Sequence, residues 1–203
     1  MMSIIGEYSD RQEIYSIDES FIEWTGFQEL GIDDMATRLR GQVLQWIGIP
    51  VGIGIGSTKT LAKAANRLAK KHPDFKAAGI CNLTSLTPER RMDYLSQLDV
   101  GDVWGIGRRW SAKLNDLGIR TALDLSQVDP HWVLHHFNVV VEKTAWELRG
   151  ISCLPLEDIP PPKQQIIASR SFGQLILDLD SLRQAISSHV ARAAEKLRQQ
   201  GST

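Results

Sequence analysis

Residues 52–71 read GIGIGSTKTLAKAANRLAKK, and two periodicities meet inside them. Up to Gly56 the repeat is two, with glycine at 52, 54 and 56 and isoleucine between. Residues 50–56 are therefore predicted to form a strand with one face stripped of side chains, where another group can approach closely. From Lys59 the repeat becomes helical. Leu61, Ala62, Ala65, Leu68 and Ala69 make an apolar stripe over 59–71, and Ser57 or Thr58 can cap it. On the opposite side lie Lys59, Lys63, Arg67, Lys70 and Lys71, at i, i+4, i+8, i+11 and i+12. No acid interrupts this basic stripe, so it repels itself unless an anion binds, and a nucleic-acid or nucleotide phosphate fits. A solvated helix face is the plainer reading. Neither glycine-loop signature is met. Thr58 and Ile53 stand where a Walker A loop needs glycine, and Ser57 stands where the dinucleotide fingerprint needs its third. What remains is a strand entering a helix N-terminus, a modest anion site.

On the N-terminal side the charge is opposite. Residues 1–34 hold nine acids and one base, whereas residues 35–73 hold seven bases and no acid, so the net charge of −1 hides two opposed blocks. An acidic patch beside a basic one suits cation-dependent phosphate chemistry, and two mutually neutralising surfaces would give the same pattern. Within the acidic block, residues 12–17 and 20–27 are β-prone. Only Asp18 and Glu19 separate them, which predicts a two-residue hairpin loop. Such loops favour glycine or asparagine, and this departure from turn chemistry points to function. The pair can converge on one ion only if the backbone turns between them. Hard oxygens of this kind suit Mg²⁺ completed by substrate phosphates; an ordinary exposed acidic turn is the alternative. Residues 33–47 follow as a helix with Met35, Leu39, Val43, Leu44 and Ile47 on one face and Asp33 as its cap.

C-terminal to the quoted stretch, residues 76–83 read as a strand and residues 88–150 as helices, with turns at Gly101, at 105–107, at 117–119 and at 129–130. The segment VWGIGRRWSAKLNDLGI (103–119) is the most specific of these. A short helix ends in Gly105-Ile106-Gly107, and the next begins with Arg108 and Arg109, with Lys113 a turn later. This is the pattern of a helix-hairpin-helix, whose backbone amides grip a DNA phosphate without reading bases. A plain αα-corner is the alternative. His131 and His135 have metal-compatible spacing but no third ligand, so they read as surface residues, and the six tryptophans read as packing residues. Residues 157–163 form a proline-rich linker. Beyond it come an expected strand over 165–177 and a helix over 178–200, with Leu179, Leu182, Ile186, Val190, Ala193 and Leu197 on one side. One strand and one helix do not make an independent domain, so this C-terminal unit reads as cut short.

Of the 203 residues, 42% are apolar, enough for a substantial core. No apolar run is long enough to cross a bilayer, so no membrane partner is expected, and the first residues lack the pattern of a secretory signal. Two cysteines without CxxC spacing fit a reducing, cytoplasmic setting. The expected fold class is α+β.

Taken in order, YSIDESF, GIGIGSTKTLAKAANRLAK, VWGIGRRWSAKLNDLGI and SRSFG resemble the Y-family translesion DNA polymerases, in particular their UmuC-type members. The resemblance runs nearly end to end. It implies a partial palm sheet with helices over 1–86, an all-helical thumb with its helix-hairpin-helix over 87–160, and a linker with the start of a little finger over 161–203. It implies that Asp18 and Glu19 are catalytic and ligate metal, and that Lys70 meets the incoming triphosphate. It places Lys59, Lys63, Arg67, Gly105, Ile106, Gly107, Arg108, Arg109, Lys113, Ser169 and Arg170 against DNA. The chemistry it implies is error-prone, Mg²⁺-dependent nucleotidyl transfer with a two-metal site in DNA repair and the SOS response. The implied partners are primer–template DNA, dNTP, a UmuD-type accessory subunit, a RecA filament and a sliding clamp. The family's first strand, which carries a further metal-binding aspartate, its fingers and most of its little finger have no counterpart here. This polypeptide alone is therefore expected to extend primers little or not at all. A non-catalytic DNA-binding module that keeps the basic helix and the hairpin is the alternative.

Overall fold

A computed structural model describes residues 1–26, 31–157 and 165–201, which fall into two units, 1–159 and 160–203. Phe27 and Glu29, and most of the expected linker, lie outside the described residues.

The quoted stretch organises the first unit. Strand β3 (Ile53–Ile55) runs into helix α3 (Lys59–Lys71), which has the bounds its periodicity predicts. Thr58 is the cap, its hydroxyl accepting from the Leu61 N–H at 3.2 Å. The glycine face of β3 is covered by the α3 backbone. A Cβ on Gly54 would lie 2.1 Å from Asn66 N and 2.3 Å from Ala62 O, and one on Gly56 would lie 2.5 Å from Ala62 N. Only glycine allows this approach. After α3 come the short helix α4 (Pro73–Lys76) and strand β4 (Ile80–Asn82), which pairs in parallel with β3 in the register Ile53↔Ile80. The expected strand over 76–83 is thus shorter, because residues 73–76 continue as helix behind a proline at its first turn.

Before β3 lie α1 (Met2–Gly6), the antiparallel pair β1 (Gln12–Ile14) and β2 (Ser20–Ile22), and α2 (Ile32–Ile47). The two-residue hairpin loop is corrected. Ile14 pairs with Ser20, so the loop is Tyr15–Glu19, closed by the Tyr15 and Ser16 amides, both donating to the Glu19 carbonyl at 3.0 Å. A primed two-residue turn needs positive φ, and among the described residues only glycines adopt it; five residues let Asp18 and Glu19 avoid it. Helix α2 is capped by Gly31 at φ 73°, not by Asp33, whose side chain instead accepts from Asn82 at 2.9 Å.

Helices α5 (Pro88–Ser96), α6 (Arg108–Asp116), α7 (Ala122–Gln127), α8 (Pro130–His136) and α9 (Val139–Leu148) complete the first unit. A single-turn 3-10 helix (Val100–Asp102) stands where the sequence suggested a short helix before Gly105. The caps are written locally: Thr87, Thr121, Asp129 and Asn138 each accept from the first turn that follows. The main core joins α3 to these helices through Leu61, Leu68, Leu95, Leu114, Leu125 and Val141. A smaller one gathers Ile4, Leu39 and Val43.

The second unit contains α10 (Leu179–Gln199), capped by Asp178. No strand forms among residues 165–177, against expectation, because a strand needs a neighbour for its ladder and the described residues offer none there. No helix among the described residues is long and apolar enough to cross a membrane.

Candidate functional site

Helix α3 and the 15–19 loop meet through charge. Lys59 pairs with Glu13 of β1, Lys63 with Glu19 at 2.6 Å, and Arg67 with Asp102 of the 3-10 turn. The anions that relieve the basic stripe are thus carboxylates of the chain itself, drawn from two sides. The Glu13 pair is nearly buried, and the Glu157 N–H also donates to Glu13 at 2.7 Å. Lys70 and Lys71 are exposed and have no hydrogen-bonding or ionic partner among the described residues. The Lys70 stem lies against Gly52, where a Cβ would come within 3.1 Å of it.

Asp18 is exposed at the loop tip, and its Oδ1 accepts from the Ser16 hydroxyl at 2.7 Å. Glu19 is half-buried and engages Lys63 through Oε1. Each carboxylate keeps one oxygen without a partner among the described residues. Each of these oxygens is of the hard type that a cation completed by phosphates and water takes. No group of three or more His, Cys, Asp or Glu is gathered among the described residues, so the protein's own donor set there is partial.

The 105–107 turn lies in the same unit. Gly105 has φ 89°, Ile106 is buried and pins the turn, and Gly107 caps α6 without a side-chain hydrogen bond. A Cβ on Gly107 would meet nothing within 4 Å, so the approach to this helix N-terminus is open. Arg108 and Arg109 are exposed beside it. Lys113 points elsewhere: it donates to the His136 carbonyl at 2.5 Å and lies 4.7 Å from the centre of the Phe137 ring. In the second unit Ser169 and Arg170 are exposed. His131 and His135 are exposed too.

Glu147 escaped the sequence reading. It is fully buried, and its Oε2 accepts from the Thr60 N–H at 2.9 Å while Oε1 accepts from Cys153 and Leu154 at 2.7 and 3.1 Å. Its carbonyl accepts from Thr58 at 2.8 Å. The anion site at the α3 N-terminus is therefore filled by Glu147 of α9. The available signal was a carboxylate set between Trp146 and Leu148 on the face of α9 where Val141, Thr144, Ala145 and Leu148 are also buried.

Three family models match: the impB/mucB/samB family over residues 1–67, the IMS family HHH motif over 88–119, and the impB/mucB/samB family C-terminal domain over 163–203. Protein UmuC of Salmonella typhimurium is 48% identical over 199 residues, covering 98% of this chain and 46% of that protein. Protein SamB of the same organism is 44% identical with the same coverage. The chain thus spans about half the length of these curated relatives. In fold it is similar to the insertion ternary complex of Dbh DNA polymerase, with a TM-score of 0.60, 22% identity, and coverage of 76% of this chain and 44% of that one. With matching models at its start, middle and end, the chain belongs to the impB/mucB/samB family of Y-family polymerases.

Proposed function

We propose that this chain carries part of an error-prone DNA polymerase that synthesises past lesions, acting in DNA repair and the SOS response in the cytoplasm. One observation carries the reading: two carboxylates with unengaged oxygens stand on a loop tied to a basic helix. Residues 1–86 serve as a partial palm, 87–160 as the thumb, and 161–203 as the linker and start of a little finger. Asp18 and Glu19 would hold Mg²⁺, which when bound activates a primer hydroxyl and neutralises the triphosphate. Lys63 neutralises one Glu19 oxygen and fixes the direction of the other. Lys70, unpaired among the described residues, offers its ammonium to the triphosphate of the incoming dNTP. The open amides at Gly107, with Arg108 and Arg109, hold the DNA backbone, and Ser169 and Arg170 meet template. A UmuD-type subunit, a RecA filament and a sliding clamp belong to the same reading as partners of the whole protein.

Primer extension with Mg²⁺, on this chain and on the full-length protein that contains it, tests the assignment. Asp18→Ala abolishes whatever extension is measured; unchanged extension removes Asp18 from the chemistry. The partial donor set favours a second reading, a DNA-binding module without chemistry. That reading predicts salt-dependent DNA binding and no extension by either form of the protein.

A further inference from the structure

Tyr15, Phe21 and Trp104 form a triangle of rings. The centroids lie 5.8 Å apart for Tyr15–Phe21, 5.5 Å for Tyr15–Trp104 and 5.6 Å for Phe21–Trp104. The Trp104 indole N–H donates to the Tyr15 hydroxyl at 3.2 Å. Two cations of α3 sit over the same rings, Lys59 at 5.3 Å from Phe21 and Lys63 at 5.7 Å from Tyr15. Edge-on ring pairs and desolvated cations over rings each add to burial, so the cluster is a cohesive joint.

Its position matters more than its cohesion. Tyr15 opens the loop that bears Asp18 and Glu19, and its amide is bonded to the Glu19 carbonyl. Trp104 immediately precedes Gly105, and Asp102 just before it pairs with Arg67 of α3. Ile106, buried in the core, anchors the 105–107 turn on its other side. The Tyr15–Trp104 contact is thus a direct side-chain link between the loop and the turn.

We propose that Trp104 is a positioning residue that couples divalent-cation loading at Asp18 and Glu19 to phosphate binding at the 105–107 turn. The proposal rests on the metal reading of that loop given above. Trp104 itself touches neither the ion nor the phosphate; it sets the separation and orientation of the two elements that do. By linkage, cation binding then tightens DNA binding and DNA binding tightens cation binding by the same factor.

The test uses the chain as it stands, with Mn²⁺ as the cation and, as the DNA, a short fluorescent duplex with 3′-deoxy ends, which offers the ion no primer hydroxyl. Calorimetry reads Mn²⁺ binding, and anisotropy reads DNA affinity in Mn²⁺ and in EDTA. Wild type is expected to bind DNA at least about fivefold tighter in Mn²⁺, the lower end of ordinary coupling. Trp104→Leu is expected to lose that ratio while its affinity in EDTA stays within about twofold, and Trp104→Phe, which keeps a ring, is expected to restore most of it. A ratio that survives in Trp104→Leu overturns the coupling and leaves the metal reading intact. Wild type that fails to bind Mn²⁺ overturns the metal reading, and the coupling falls with it. A second measurement needs no variant: the amide resonances of Gly105 and Gly107 are followed during Mg²⁺ titration without DNA. The coupling predicts that they shift in step with Asp18; shifts confined to 15–19 overturn it.

Discussion

Helices α3 and α10 carry the same kind of apolar stripe and meet different fates. In α3, Leu61, Ala65 and Leu68 are buried against β3, β4 and the later helices. In α10, Leu182, Ile186 and Val190 remain exposed, Val190 at 61%. Both helices are capped by a side chain, Thr58 in one and Asp178 in the other. Local code therefore forms the helix in each case, and what differs is the surface offered to it. The alternating glycines of β3 bring the α3 backbone into contact, whereas the described residues before α10 form no strand to receive its face.

The comparison can be broken by substitution. Leu61→Ala should cost about 2–5 kcal/mol in urea unfolding, while Val190→Ala should stay within about 0.5 kcal/mol. Equal losses would show that α10 is covered in solution. Gly54→Ala drives a methyl group into backbone atoms and should cost about 3 kcal/mol; Gly173→Ala, with nothing within 4 Å of its Cβ, should be near neutral. Glu147→Gln keeps an acceptor but loses the charge at the α3 N-terminus and turns an amide group toward a donor. A loss of about 2 kcal/mol is expected, read by the same melts.

The smallest effect is acid sensitivity, and it too separates the units. Partial burial opposes ionisation of Asp124, but N–H donors of Arg120 and Thr121 and the Thr121 hydroxyl outweigh it and hold its carboxyl below the ordinary value. Asp178 is held low first by the Ser181 N–H. A lowered folded-state pKa gives stability that is complete above the unfolded value and lost as pH falls through the folded one. Acid should therefore loosen α7 through Asp124 and fray α10 through Asp178. Asp124→Asn should flatten the acid limb of the unit 1 melt, and Asp178→Asn only that of the α10 circular-dichroism signal.

Much of this was legible because it is local. The bounds of α3, a cap at Ser57 or Thr58, the stripped face of β3 and the turn at Gly105 follow from residue spacing and glycine alone. Tertiary pairings were not legible. Nothing in the spacing of Lys59, Lys63 and Arg67 says that Glu13, Glu19 and Asp102 will meet them. The Tyr15–Glu19 loop was misjudged because its flanking residues are β-prone while its backbone needs room to avoid positive φ. Glu147 was missed because a carboxylate in an apolar helix finds its partners only when a distant helix N-terminus arrives. The tryptophans read as packing residues, and Trp104 does pack, but its neighbours give that packing a direction.

The most direct test of the central claim is Mn²⁺ binding by this chain, followed by electron paramagnetic resonance, in wild type and Asp18→Ala. If the 15–19 loop beside α3 is a cation site, wild type binds and Asp18→Ala weakens binding at least about tenfold, in the range that loss of a ligand-shell group produces. Equal binding by the two proteins would contradict it.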